Sequence, residues 1–270
     1  MTQHKAVVTT SWDDGDRADL RLADLLHQRG VTGTFYVPIE PFEGHPALTR
    51  NELRMLAGAG FEIGAHGVAH EHMPSLSRDE TLAVVRECRN RLECTVGQPV
   101  RMFCYPGGHY TATTMRCLAD VGYHGARTTR MLATRSSFGR FEMPTTVQAY
   151  PHDGFTYLKN TVKARRPARL YHYVRGGQKS WVELGKHTFD HVLRGGGVWH
   201  LYGHSWEIEK HGLWDALAEL IEYVSGRKEV LYLTNADALA LLQPGIDAIR
   251  ERALAREDPA RSQQVSTAGR

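Results

Sequence analysis

Apolar and polar positions along this chain switch repeatedly between a period of two and a period near 3.6. Val7 and Val8 with the β-branched Thr9 and Thr10 predict a short strand over residues 5–12. Leu22, Leu25 and Leu26 then recur at helical spacing as far as Gly30, and residues 31–38 (VTGTFYVP) return to strand. Thr49 and Glu52 form a capping box ahead of Leu53 and Leu56; Gly60 ends that helix and a strand over 61–66 follows. Ser77 and Glu80 open a second boxed helix that runs through Leu82, Val85 and Leu92 to Gly97, before a strand in 100–106. Met115, Leu118 and Val121 lead to Gly122 and a strand in 123–129. Residues 140–150 predict another strand, and 154–195 read as mainly helical. The pattern then resumes as strand 197–205, amphipathic helix 213–226, strand 229–234 and helix 235–242. From residue 258 the apolar periodicity vanishes, which predicts a disordered tail.

Helices alternating with short β-rich runs build βα units and a parallel sheet. About seven such units fill one α/β domain over residues 1–257, and no Gly-rich dinucleotide fingerprint follows the first strand. A closed barrel fits this better than an open sheet. In such a barrel the chemistry gathers where strands end and βα loops begin.

Composition narrows the classes. Hydrophobic residues make up 41% of the 270 and charged residues 23%, ordinary for a globular chain. A net charge of +3 gives no argument for a nucleic-acid polymer as partner. No apolar run reaches membrane-spanning length and no leader-like segment precedes the first strand, so a cytoplasmic location is expected. Cys88, Cys94, Cys104 and Cys117 show no CxxC spacing and read as reduced thiols. The 15 histidines exceed expectation and turn attention to imidazole chemistry.

Four polar knots fall at strand ends. Asp13 and Asp14 precede Gly15; adjacent carboxylates repel unless a cation or a shared proton divides their roles, and the plainer alternative is a helix N-cap. His66 and His70 follow the third strand at i, i+4. Two such histidines with one carboxylate make a ligand set that leaves positions open for water and substrate, although the spacing alone recurs by chance. Tyr105-Pro106-Gly107-Gly108 is either a plain turn or a place where backbone N–H groups approach a ligand closely. In the fourth knot His200, Tyr202 and His204 share one strand face while Trp199 and Leu201 take the other, and Trp206 lies just beyond.

Ser11-Trp12-Asp13-Asp14-Gly15, Gly64-Ala65-His66-Gly67-Val68-Ala69-His70, Phe103-Cys104-Tyr105-Pro106-Gly107-Gly108 and Leu201-Tyr202-Gly203-His204 resemble the ordered motifs of the polysaccharide deacetylase (NodB-homology) family. The resemblance runs from about residue 5 to 240. It implies a distorted (β/α)7 barrel and metal-dependent hydrolysis of N-acetyl groups, sometimes O-acetyl, formyl or ureide groups. Carried over, it makes Asp14, His66 and His70 the ligands of one divalent ion, Zn²⁺ foremost, with Co²⁺, Mn²⁺ or Fe²⁺ also accepted by such a site. Asp13 matches the general base and His204 the general acid, with His200 as the competing choice. The backbone near Gly107 matches the oxyanion donor, and Tyr105 and Trp206 are expected beside the substrate. Three departures stand out. The closing motif runs Gly203-His204-Ser205-Trp206-Glu207, which makes His200 versus His204 a real choice. Cys104 occupies a position where the family often has Arg, so no cation is evident beside Asp13; Gly67 replaces the usual Ser or Thr.

The expected activity is removal of an N-acetyl or related acyl group from a sugar or sugar derivative. A same-fold hydrolase of a small amide or ureide, allantoinase-like, is one alternative, and a non-catalytic carbohydrate-binding barrel is another. Intact Asp13, Asp14, His66 and His70 argue against the last. Between Asp153 and Glu183 no acidic residue occurs, while Lys159, Lys163, Arg165, Arg166, Arg169, Arg175 and Lys179 are interleaved with Tyr157, Tyr171, His172, Tyr173 and Trp181. That stretch reads either as a solvated helix face or as the contact for an anionic sugar derivative.

Overall fold

All eight residues of β1 (Ala6–Asp13) are buried, as befits a strand covered on both faces of a parallel sheet. The computed structural model describes residues 6–152 and 180–243. β1 pairs with β2 (Thr34–Val37) on one side and β7 (Gly197–Gly203) on the other, and β8 (Val230–Tyr232) pairs with its first three residues. The sheet runs β5-β4-β3-β2-β1-β7-β6, with β3 (Glu62–Ala65), β4 (Met102–Cys104), β5 (Gly125–Arg127) and β6 (Val147–Gln148), and every ladder is parallel.

Strand alternation divides the core into two. On the outer face Val8, Trp12, Phe35, Ile63 and Phe103 pack under the helices in one large cluster. Inside, Val7, Tyr36, Met102, Cys104, Met143 and Val198 form a smaller cluster with Ala236 and Leu239. The covering helices are α1 (Asp19–Gln28), α2 (Arg50–Gly58), α3 (Arg78–Val96), α4 (Ala112–Val121), α5 (Trp181–Gly195), α6 (Ser205–Lys210), α7 (Trp214–Val224) and α8 (Asn235–Leu242). Both expected capping boxes are present, Thr49 with Glu52 and Ser77 with Glu80. The N-terminus of α8 plugs the barrel floor: Asn235 N–H donates to Thr34 Oγ1 at 3.0 Å and Ala236 N–H to Glu62 Oε2 at 3.0 Å.

The sheet curls into the (β/α)7 arrangement, and its distortion lies between β5 and β6. Among the described residues no ladder joins those two edges. Residues 128–146 bridge the gap instead, through Thr128 N–H to Met143 O at 2.8 Å, Thr145 N–H to Arg130 O at 2.9 Å and Thr146 N–H to His200 O at 2.8 Å. The strand expected over 140–150 accordingly shrinks to Val147–Gln148, preceded by a 3₁₀ turn at Arg140–Glu142. Pro144, which has no N–H for a ladder, sits between them. Of the helical region expected over 154–195, α5 is observed; the basic stretch 159–179 and the tail from 258 lie outside the described residues. No helix among the described residues is long and apolar enough to cross a membrane.

Candidate active site

β1 delivers Asp13 and Asp14 to its carboxyl end, where Asp14 turns the chain at φ +77° and Gly15 follows at φ +62°. A Cβ at Gly15 would stand 2.9 Å from Val37 Cγ1, so glycine is needed there for space as well as for backbone angle. β3 ends one residue before His66, and His70 closes the next loop at φ +55°. Asp14 and His70 thus both occupy left-handed backbone, a conformation that non-glycine residues keep only where surroundings enforce it. Part of that enforcement comes from Glu71. Its carboxylate accepts Val68 N–H at 3.0 Å and Ala69 N–H at 2.9 Å, and it occupies the space where a Cβ on Gly67 would be (2.5 Å to Oε2). Gly67 at φ +86° is therefore the residue this loop requires, in place of the family's Ser or Thr.

One ligand atom each from Asp14, His66 and His70 falls within a common 4.8 Å span. His66 Nδ1 lies 2.9 Å from the Cys104 carbonyl, to which it donates, and this turns Nε2 toward Asp14. Asp14 Oδ1 is buried and receives no hydrogen bond; its nearest neighbours are His66 Nε2 at 3.5 Å and His70 Nε2 at 3.9 Å. Its other oxygen accepts Trp206 Nε1–H at 2.9 Å. Burial works against an anion here, yet His66, His204 and Trp206 hold the Asp14 carboxyl well below the ordinary carboxylate range. An orphaned carboxylate oxygen aimed between two imidazole nitrogens is the donor set a divalent cation requires. The residues fit the metal.

Asp13 stands beside this trio, 3% exposed. Its Oδ1 pairs with Arg127 Nη2, and Arg127 is itself fully buried, its Cζ 4.8 Å from the ring centre of Tyr202 and 5.3 Å from that of Tyr36. The cation that position 104 lacks is supplied by the neighbouring strand β5. Cys104 Sγ instead points at Asp13 Oδ2, 3.6 Å away. Burial alone would raise the Asp13 pKa; Arg127, with His66 and His204, overrides it and holds the carboxyl below its ordinary value. Sequence reasoning missed Arg127, although an arginine inside the buried run Gly125-Ala126-Arg127 was a signal.

His204 faces the same cavity from the end of β7. Its Nε2 lies 3.9 Å from both Asp13 Oδ2 and Asp14 Oδ2, and its Nδ1 is 2.6 Å from Glu207 Oε2. Burial pulls its pKa down, but the Glu207 hydrogen bond and the two aspartates carry it above the ordinary imidazole value. Glu207 also escaped sequence reasoning, though it stands three residues after His204. His200 lies deeper in the barrel, 2.8 Å from Ser11 Oγ through Nε2, and burial with Arg127 nearby keeps it neutral. It is not among the residues lining the cavity, and His204 is.

The cavity has a volume of about 360 Å³ and is walled by Asp13, Asp14, His66, His70 and His204, with Phe42 and Trp206 to one side and Tyr105, Gly107 and Thr129 to the other. Tyr105 offers it ring and backbone rather than hydroxyl, because its O–H donates to Phe141 O at 3.0 Å. Gly107 sits at φ +59° in the turn after β4. The four polar knots, far apart along the chain, thus surround one space. Residues 1–126 match the polysaccharide deacetylase family.

Solved structures extend that likeness over the whole fold. A provisionally assigned polysaccharide deacetylase from Mycobacterium smegmatis superposes with a TM-score of 0.58 at 18% identity, covering 95% of this chain and 93% of its own. The cobalt-bound family 4 acetyl xylan esterase of Clostridium thermocellum gives 0.54 at 17% identity, over 87% and 91% of the two chains. A CE4 family pseudoenzyme from Bacillus anthracis gives 0.51 at 17%, over 87% and 66%. No curated protein matches the sequence. At these identities the structural neighbours establish the polysaccharide deacetylase fold, and the side chains just described must carry the chemistry.

Proposed function

We propose that this chain is a metal-dependent hydrolase that removes an N-acetyl or related acyl group from a sugar or sugar derivative. The observation that carries the reading is the orphaned Asp14 Oδ1 between His66 and His70, flanked by the Asp13–Arg127 and His204–Glu207 pairs. Asp14, His66 and His70 would hold the ion, which supplies Lewis acidity toward the acyl carbonyl and lowers the pKa of water. Asp13, kept ionised by Arg127, presents Oδ2 to the cavity and takes the proton of the attacking water. His204, anchored through Nδ1 by Glu207, turns Nε2 inward and hands a proton to the leaving nitrogen. Trp206 and Phe42 exclude water from one side, and the turn at Gly107 brings backbone close to the developing oxyanion. A pseudoenzyme reading loses support because every one of these groups is intact. A cytoplasmic location is part of the proposal.

Two measurements test it. Purified protein is expected to hold one divalent ion per chain, and His66→Ala and His70→Ala should each lose it on elemental analysis; full occupancy in both variants would overturn the ligand assignment. Acetylated amino sugars and acetylated xylan should release acetate, whereas ammonia or urea from a small amide would favour the allantoinase-like alternative.

The acid is separately testable. Removing the Glu207 charge takes away the strongest influence opposing burial at His204 and leaves only Asp13 and Asp14 to raise it, so its pKa falls. Glu207→Gln is therefore expected to move the basic limb of the pH–rate profile to lower pH, with the acidic limb in place. An unmoved basic limb would take the acid role away from His204.

A further inference from the structure

Asp14 turns the chain in left-handed backbone, and its side chain has a freedom of its own. The terminal torsion of an aspartate is broad and roughly two-fold, so nothing within the residue decides which oxygen faces His66 and His70. Among the described residues a single hydrogen bond reaches that carboxylate, the one that Oδ2 accepts from Trp206 Nε1–H at 2.9 Å; Oδ1 receives none. His204 Nε2, 3.9 Å from Oδ2, is too far away to share the task. The carboxylate is buried, so bulk water does not compete with the indole for it.

Trp206 is itself held by its neighbours. It stands in the first turn of α6, with its ring centre 5.6 Å from that of His204 and 4.9 Å from that of His45. His45 comes from the loop after β2 and is tied down in turn. Its Nδ1 lies 3.3 Å from Asp16 Oδ2, while Asp16 Oδ1 accepts Ala18 N–H at 2.7 Å. Backbone joins the same two segments: Leu48 N–H donates to Gly15 O at 2.9 Å and Arg17 N–H to Pro46 O at 2.7 Å. The indole is thus braced against the turn whose carboxylate it grips.

We propose that Trp206 is a positioning residue of the metal centre: its indole N–H fixes the plane of the Asp14 carboxylate and so aims Oδ1 between His66 and His70, with His45 bracing the ring. The role rests on the proposed function in one respect, that Asp14, His66 and His70 are the ligands. It is separate from the part the ring plays as a wall of the cavity, because a wall needs the area of the ring and this role needs one N–H.

The test is the Zn²⁺ affinity of the full chain, measured by competition with a chromophoric chelator. Trp206→Phe keeps an aromatic ring and removes the donor; its Kd for Zn²⁺ should rise by about 10–100-fold, the usual effect of losing a group that orients a metal ligand. The visible spectrum of the Co²⁺-loaded protein should change with it, because the ligand field follows the aim of the carboxylate. His45→Leu leaves the N–H in place but loosens the ring, and should weaken Zn²⁺ binding in the same direction by less. Wild-type Kd and Co²⁺ spectrum in folded Trp206→Phe would overturn the proposal, as would a lowered Tm of the metal-free chain with the Kd unmoved. If Trp206→Phe does not fold, His45→Leu decides, and an unchanged Kd there overturns the proposal as well. No uptake of either ion by wild type would sink the ligand assignment and this role with it, whereas uptake by wild type with an indifferent Trp206→Phe would sink the positioning role alone.

Discussion

Asp13→Asn is expected to retain bound metal and to lose turnover by roughly 10²–10⁴-fold, the usual size of a general-base contribution. Geometry is nearly conserved in this exchange, and what disappears is the ability to accept a proton at Oδ2. Metal should stay because Asp14, His66 and His70 are untouched. Unfolding must be separated from chemistry, since the exchange leaves Arg127 as a buried cation without its anion. Circular dichroism and metal content at the assay temperature make that separation. Wild-type kcat in a folded, metal-loaded variant would remove Asp13 from the mechanism. The pH dependence has a definite sign: a carboxyl held below its ordinary value stays ionised as pH falls, so the acidic limb should lie below the range of a free aspartate. The stability that the pair contributes is fully present above the unfolded-state value near 3.8 and disappears as pH falls through the lowered folded value.

Arg127→Met carries the largest expected effect on stability. Breaking a buried ion pair from one side costs about 3–5 kcal/mol, because the partner charge stays behind in a medium that cannot solvate it. For a domain of this size that corresponds to a fall in Tm on the order of 10 °C. Part of the loss comes from the guanidinium's contact with the faces of Tyr36 and Tyr202. The catalytic consequence follows from the same physics. With Arg127 gone, burial dominates Asp13 and its pKa rises, so the acidic limb of the pH–rate profile should move up. Combining Arg127→Met with Asp13→Asn removes both charges, and the double variant should recover part of the lost stability. A Tm within a degree or two of wild type, together with an unshifted acidic limb, would show that Arg127 neither stabilises nor tunes Asp13.

Local pattern was enough for most of the elements. The capping boxes at Thr49 and Ser77, the glycines at Gly97 and Gly122 and the β-branched run of β1 act within a few residues, so their effects were readable in order along the chain. Asp13, Asp14, His66 and His204 were legible for a related reason: each is the residue at or just past the end of a strand, with His70 one i, i+4 step beyond His66, and parallel strands deliver those ends to one rim. Tertiary structure decided the rest. Whether His200 or His204 reaches the cavity depends on how far along β7 the barrel interior ends, and that is set by its register with β1, where Thr9 faces His200. The Arg127–Asp13 pair joins residues 114 positions apart through the curl of the sheet, and no local period marks it. Pro144 weakened the expected strand, but only the packing of 128–146 across the β5–β6 gap showed what replaces it. Sequence alone thus determined which groups stand at the rim, because strand ends are local events. The folded chain decided which groups stand behind them and set their charge, because burial and pairing are properties of the assembled barrel.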